Sequence, residues 1–302
     1  MAARPTSVAA ETISISTVDG RRLTARWWPG ADASQHSIVI LSGLAAPQEY
    51  LRWFAGSLAS KGWGVLTFDY RSVGKSNDAA ADRAATLDDW AQLDIPAAIS
   101  EVRQRCEGPV IAVAHSIGGQ LLGQSPGLHD VDGILLIAAQ RGIPKLYDGV
   151  ARLRVRYAYA MFPLLIRTLG YLPVSKFTFP ERCSPQAVMQ WVRWGRTGTF
   201  TSMNGVNFEA RFAEYRGRLI ALTIADDQYA PPRAVDALTD LYEGAAITRH
   251  RITPADYGVG SLGHFGFFHR RAPRELWSKA EMWLREIEAS ALRPALASNV
   301  HA

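Results

Sequence analysis

The sequence predicts an α/β fold: a mostly parallel central sheet with helices on both faces. Three observations carry this. Short apolar runs at 37–41, 64–68, 110–115, 133–138 and 218–225 alternate with longer segments of helical periodicity, the pattern of strands joined by crossover helices. The runs are apolar throughout rather than at every second residue, so both faces of each strand are to be covered. The 302 residues are 48% hydrophobic, enough to bury one large core, and a single domain is expected.

In chain order, runs at 12–17 and 22–28 meet at Val18-Asp19-Gly20 and read as an antiparallel hairpin. The strand at 37–41 is followed by a helix over 48–61 that Gly62 stops. After the strand at 64–68, Trp90, Leu93, Ile95, Ile99 and Val102 give the segment 87–106 a helical stripe. Pro96 lies inside it and marks either a kink or a start. Between Gly142 and Gly217 the pattern breaks. Aromatic residues crowd there, among them Tyr147, Tyr157, Tyr159, Phe177, Phe179, Trp191, Trp194, Phe200 and Phe212, interrupted by Pro163, Pro173, Pro180 and Pro185. The strand at 218–225, another around His250 and a helix from near Pro273 complete the chain.

One strand carries a chemical signal. Val110-Ile111-Ala112-Val113-Ala114-His115 runs into Ser116 and leaves through Ile117-Gly118-Gly119. A serine is lifted out of a sheet by a turn so sharp that its backbone is strained, and small residues two before and two after let that turn close. Ala114 and Gly118 hold those positions, so the pattern is A-x-S-x-G rather than G-x-S-x-G. The plainer alternative makes Ser116 the cap of a helix that its glycines let pack closely on the strand. The strand at 218–225 empties into Asp226-Asp227, placing a carboxylate at the C-terminal end of a strand, where open α/β sheets hold ligands. Gly263-His264-Phe265-Gly266 sets a histidine in a loop with room to swing toward a neighbour.

These segments, with Leu41-Ser42-Gly43-Leu44-Ala45 and Phe68-Asp69-Tyr70-Arg71-Ser72-Val73-Gly74-Lys75-Ser76, resemble the α/β-hydrolase superfamily, most closely its serine-aminopeptidase-like branch, over nearly the whole length. The resemblance implies the α/β-hydrolase fold with a helical cap insertion. The core would span 10–141 and 217–290, the cap 142–216 and a tail 291–302. It also implies Ser116 as nucleophile, His264 as base and Asp227 as acid, because the family places the acid four residues before a proline and Pro231 fits. Asp226 would need Ala230 in that place. The oxyanion donors would be the backbone N–H of Ile117 and that of Leu44 or Ala45; where the family often has His-Gly this chain has Ser42-Gly43.

A serine hydroxyl attacks a carbonyl only when a base takes its proton, which asks for a histidine within about 3 Å of it. The expected activity is therefore cleavage of a carboxylic ester of a hydrophobic acyl group through an acyl-enzyme. Thioesterase, amidase or acyltransferase chemistry uses the same parts, and a non-catalytic ligand-binding protein is the alternative of a different class.

Other candidates have plainer readings. Asp69 ends a strand but precedes the serine, and is expected to pair with backbone or with Arg71. His115 adjoins Ser116 but points to the other face of the strand, so a packed or hydrogen-bonded role is expected. His250 reads as a surface or edge residue, and His36, His129 and His301 fall in loops or the tail. His269 lacks glycine neighbours and precedes Arg270-Arg271, a solvated turn.

Composition narrows the rest. No apolar run is long enough to span a bilayer, and no hydrophobic stretch follows Arg4, so no secretory signal is read. Cys106 and Cys183 make neither a disulfide framework nor a metal motif, and the cytoplasm is the expected compartment. No phosphate loop, metal cluster or dinucleotide fingerprint is present, and no cofactor is expected. The net charge of +5 comes from scattered arginines whose densest group, Arg152, Arg154 and Arg156 with Arg167 beyond, reads as a solvated helix face. The alternative is that this face attracts an anionic substrate or a membrane surface, though membrane contact is not the expectation; nucleic acid is not expected because no recognised motif accompanies the charge, and the expected partner is a small hydrophobic acyl compound.

Overall fold

The apolar runs become the strands of one sheet. The computed structural model describes residues 8–78, 82–172 and 183–298. Its strands are β1 (Glu11–Ser16), β2 (Arg22–Trp28), β3 (Ser37–Leu41), β4 (Gly64–Phe68), β5 (Val110–His115), β6 (Gly133–Ile137), β7 (Arg218–Ile224) and β8 (Ala246–Ile252). The helices are α1 (Arg52–Ala59), α2 (Leu87–Asp89), α3 (Ile95–Arg103), α4 (Ile117–Gln124), α5 (Gly149–Leu169), α6 (Pro185–Thr197), α7 (Glu209–Phe212), α8 (Pro232–Thr239) and α9 (Arg274–Ser298). The sheet order is β1-β2-β4-β3-β5-β6-β7-β8. β1 and β2 run antiparallel, β2 pairs antiparallel with β4, and every later pair is parallel.

Side chains alternate across the strands, and the core divides accordingly. Val39, Leu41, Ala112 and Ala114 pack with Trp90, Ile99 and Leu121 on one face. Ile38, Ile40, Ile111 and Val113 pack with Phe54, Leu276 and Leu284 on the other. This is why β3, β4, β5 and β6 are buried at every residue. β3 lies between β4 and β5, so the chain leaves it first to one side and later to the other. Such a reversal opens a crevice beyond the C-terminal ends of β3 and β5.

The segment 87–106 is not one helix. α2 passes into a single π-helical stretch, Trp90–Asp94, and α3 begins at Ile95 with Pro96 in its first turn. Proline has no N–H to offer the carbonyl four residues back, so it marks a start rather than a kink. The wider turn aims two side chains at residue 71: Trp90 Nε1 donates to the Arg71 carbonyl at 3.0 Å, and Asp94 accepts from the Arg71 N–H at 2.9 Å and from Nε at 2.8 Å. Asp94 has no exposed side-chain surface, and removal of one partner from a buried ion pair leaves the other charge uncompensated. Asp94→Ala is expected to lower the unfolding free energy by about 3 kcal/mol, the lower end of that class because Arg71 keeps Asp19, as read from the midpoint of a urea titration.

Between β6 and β7 the chain forms α5, α6 and α7. Gln190 of α6 anchors this segment: its Oε1 accepts from the N–H of Leu87 at 2.9 Å, and its Nε2 donates to Asp88 at 2.6 Å. Trp194, Phe200 and Phe212 are core residues there, so much of the aromatic crowding is packing. Phe177, Phe179, Pro173, Pro180 and His301 lie outside the described residues. α9 runs to Ser298, past position 290, where the sequence suggests a tail. No helix among the described residues is long and apolar enough to cross a membrane.

Candidate active site

β5 is a buried strand that must end beneath a helix, and the transition occupies one residue. Ser116 has φ +54° and ψ −121°, a conformation a side chain adopts only under constraint, and α4 starts at the next position. The constraint is steric. A Cβ on Gly118 would lie 2.7 Å from the Leu41 carbonyl oxygen, and one on Gly119 2.6 Å from Ala139 Cβ, so the glycines let α4 press onto the sheet. Ala114 is fully buried, and its methyl is accommodated where the tighter pattern has glycine. Ser116 keeps 8% of its surface exposed between His115 at 0% and Ile117 at 1%, so the strained turn presents the serine to the crevice.

The chain then brings two distant side chains to it. His264 Nε2 lies 2.9 Å from Ser116 Oγ across 148 positions, and His264 Nδ1 lies 2.7 Å from Asp227 Oδ2 across 37. With Nδ1–H donating to the carboxylate, Nε2 carries the lone pair and accepts the serine hydroxyl hydrogen. The other Asp227 oxygen accepts from the N–H of Tyr229 at 2.7 Å and of Ala230 at 3.1 Å, which fixes the carboxylate at the end of β7.

Asp226 does something else. It accepts from Ser261 Oγ at 2.7 Å and from the N–H of Leu262 and Gly263, both at 3.0 Å, so it holds the loop that carries His264. What burial it has would raise its carboxyl, but these hydrogen bonds outweigh that and keep it below the usual carboxylate range.

His115 faces away from Ser116, as the alternation of a strand requires. Its Nε2–H donates to the His264 carbonyl at 2.9 Å, and its ring packs against Phe268 and Phe265. Burial first, and then the neighbouring His264, push it well below the ordinary histidine range, so it is neutral. Tyr50 donates from its hydroxyl to the Phe265 carbonyl, tying the same loop to the start of the helix after β3. Tyr229 sets its ring 5.5 Å from that of His264, and its carbonyl accepts from Tyr147 at 2.8 Å. Tyr50 and Tyr229 carry no sequence signal for this, because each meets the His264 loop from a distant position in the chain.

The loop after β3 lies alongside. A Cβ on Gly43 would sit 3.6 Å from Ser116 Cβ, and Ala45 has φ +55°. The Ala46 N–H closes this turn onto the Gly43 carbonyl at 3.1 Å, a bond that uses neither the Leu44 nor the Ala45 N–H. Ile117 opens α4, so its N–H is among those a helix leaves without a carbonyl.

Asp69 stays apart. It accepts from the Gln48 N–H at 2.6 Å and the Lys75 N–H at 3.0 Å, while Arg71 binds Asp94 and Asp19 instead. His36 is a loop residue but buried, paired with Glu288 at 2.9 Å; His250 lies on the edge strand β8 and stacks on Trp283; His129 lies 3.0 Å from Glu214, and His269 Nδ1 accepts from the Arg271 N–H at 3.2 Å. No group of His, Cys, Asp and Glu among the described residues has the arrangement of a metal site.

Comparison with known proteins fits this architecture. The sequence profile of the alpha/beta hydrolase family matches residues 38–280. This chain belongs to that family. The match is to the family at large and does not single out the serine-aminopeptidase-like branch. No curated protein matches this α/β hydrolase in sequence. Among solved structures it is similar to a soluble variant of monoglyceride lipase from Saccharomyces cerevisiae in complex with a substrate analog, with a TM-score of 0.66, 14% identity, and coverage of 95% of this chain and 99% of that one. The Pyrococcus furiosus esterase PF2001 gives a TM-score of 0.62 at 14% identity over 93% of this chain and 91% of that one. The esterase EaEST from Exiguobacterium antarcticum gives 0.61 at 15% identity over 91% and 100%. At these identities the likeness is one of fold.

Proposed function

We propose that this α/β hydrolase is a serine hydrolase that cleaves carboxylic esters of hydrophobic acyl groups, with Ser116 as nucleophile, His264 as general base and acid, and Asp227 orienting the imidazole. The observation that carries the reading is the continuous hydrogen-bonded line from Ser116 Oγ through His264 to Asp227, at 2.9 and 2.7 Å, ending on a serine held at positive φ.

In the first half-reaction Ser116 Oγ bonds to the ester carbonyl carbon while its proton passes to His264 Nε2. The Asp227 carboxylate stabilises the imidazolium so formed. The carbonyl oxygen becomes an oxyanion facing the Ile117 N–H and that of Leu44 or Ala45, donors of the kind worth about 3–4 kcal/mol each in the barrier. Collapse of the intermediate breaks the bond to the alkoxy group, which takes the proton from Nε2 and leaves as the alcohol. Water then gives a proton to Nε2, attacks the acyl carbon, and the acid departs as Ser116 Oγ recovers its proton. A thioester or amide differs only in the leaving atom, and acyl transfer only in what enters second.

In this reading residues 142–216 serve as a cap beside the crevice. Its link to the site is Tyr147, whose hydroxyl reaches the Tyr229 carbonyl next to His264. A fluorophosphonate probe is expected to label the protein at Ser116, read by mass spectrometry of the modified peptide, and to leave Ser116→Ala unlabelled. Absence of labelling in the native protein would sink the proposal.

A further inference from the structure

α5 is the longest helix between β6 and β7, and it buries little. Tyr159 and Pro163 are its only fully buried side chains. Val150, Leu153, Tyr157 and Leu164, spaced three, four and seven apart, are 64%, 63%, 69% and 52% exposed. That spacing puts them on one stripe of the helix, turned away from the face that packs on α6. The charge on the same helix has one sign. From Gly149 to Tyr171 there are four arginines, Arg152, Arg154, Arg156 and Arg167, and no acidic residue. The nearest carboxylate, Asp148 at the N-terminus of the helix, is engaged by Arg152 and Arg233. Arg154 contacts Gln228, while Arg156 and Arg167 have no hydrogen-bond or ion-pair partner among the described residues. Beside the helix, Lys145, Arg152, Arg156 and Arg196 line a cleft of about 500 Å³ with no acidic residue among its described walls.

We propose that the outward face of α5 docks on an anionic lipid surface, the apolar stripe entering the headgroup boundary and the flanking arginines pairing with lipid phosphates. An exposed apolar stripe alone would suit any apolar partner. The flanking charge selects among them: a second copy meeting this one across a two-fold axis would set arginine against arginine, whereas an anionic bilayer complements both features. The helix is not long and apolar enough to cross a membrane, so the docking proposed is onto a surface and not through it. α5 starts two residues after Tyr147, so docking would place the lipid surface near the crevice without using any residue of the proposed triad.

The test is co-sedimentation of the purified full chain with vesicles of phosphatidylcholine alone and of phosphatidylcholine mixed with phosphatidylglycerol. Binding to the mixed vesicles is expected, weakened by salt and absent or much weaker with neutral ones. Arg156→Gln with Arg167→Gln is expected to reduce it about five-fold per charge. Leu153→Ser with Tyr157→Ser is expected to reduce it at least about ten-fold. Both pairs are exposed, and an unchanged thermal midpoint shows that the variants fold; if the apolar pair does not fold, the arginine pair carries the test alone. Three results would overturn the proposal: no binding of the native protein to mixed vesicles, equal binding to neutral vesicles with the arginine pair unaffected, or a native dimer that the Leu153 and Tyr157 substitutions dissociate. In the first of these cases, tight binding of inorganic phosphate would make the cleft a free-anion site. Vesicle binding needs no turnover, so it stands or falls apart from the hydrolase chemistry.

Discussion

Ser116→Ala is expected to lower kcat on a nitrophenyl ester panel by about 10⁴-fold or more while leaving the thermal midpoint close to native. The substitution removes the atom that the line through His264 and Asp227 serves, and no second hydroxyl bonds to Nε2 among the described residues. Residual turnover would come from the backbone donors of the oxyanion site acting on water. Stability should not move much, because alanine and serine meet the same backbone strain at φ +54°. Ser116→Gly, by contrast, relieves that strain and is expected to gain about 1 kcal/mol of stability, since the strain removed exceeds the added entropy of an unfolded glycine. A stabilised but inactive Ser116→Gly would tie the strain to function. Turnover within ten-fold of native in Ser116→Ala would end the serine mechanism.

Asp227→Asn is expected to cost about 10⁴-fold in kcat, and Asp226→Asn far less, with the comparison made on one substrate at one pH. The two carboxylates are neighbours with separate tasks. An amide at 227 can offer its NH₂ to His264 Nδ1, which fixes the tautomer that puts a proton rather than a lone pair toward Ser116. An amide at 226 loses a charged acceptor for three donors in the 261–263 loop, which loosens the histidine's position without changing its tautomer. The pH signature separates them further. The Asp226 carboxyl is held below its ordinary value in the folded protein, so its contribution to stability is present above the unfolded carboxyl range and is lost as pH falls through the depressed value. Acid unfolding should therefore be less steep in Asp226→Asn than in the native protein over that range. If Asp226→Asn is instead the more crippled in turnover, the assignment of the acid is reversed.

The strands of the parallel sheet were legible because continuous apolar runs admit few other structures. β3, β4 and β5 fall where hydrophobicity alone puts them. The helical segment over 87–106 was less so: its apolar stripe is real, but the π-helical stretch that turns Asp94 toward Arg71 answers a buried charge from elsewhere in the chain, which local periodicity does not encode. The same holds for His36. It sits in a loop by sequence yet is buried against Glu288, because α9 returns over it from 252 positions away.

The sequence by itself determined the sheet, the turn at Ser116 and the pair of acidic residues after β7, since each follows from residues within a few positions of one another. The spacing to Pro231 favours Asp227 only by resemblance to the family; the contact itself belongs to the tertiary structure, where Asp226 and Asp227 diverge at the strand's end and the 261–264 loop meets them differently. Tertiary structure also decided which face of α5 meets solvent. A helix with apolar residues on every side has no face marked as inner until another layer covers one of them, and the layer that packs here leaves Leu153 and Tyr157 to the solvent.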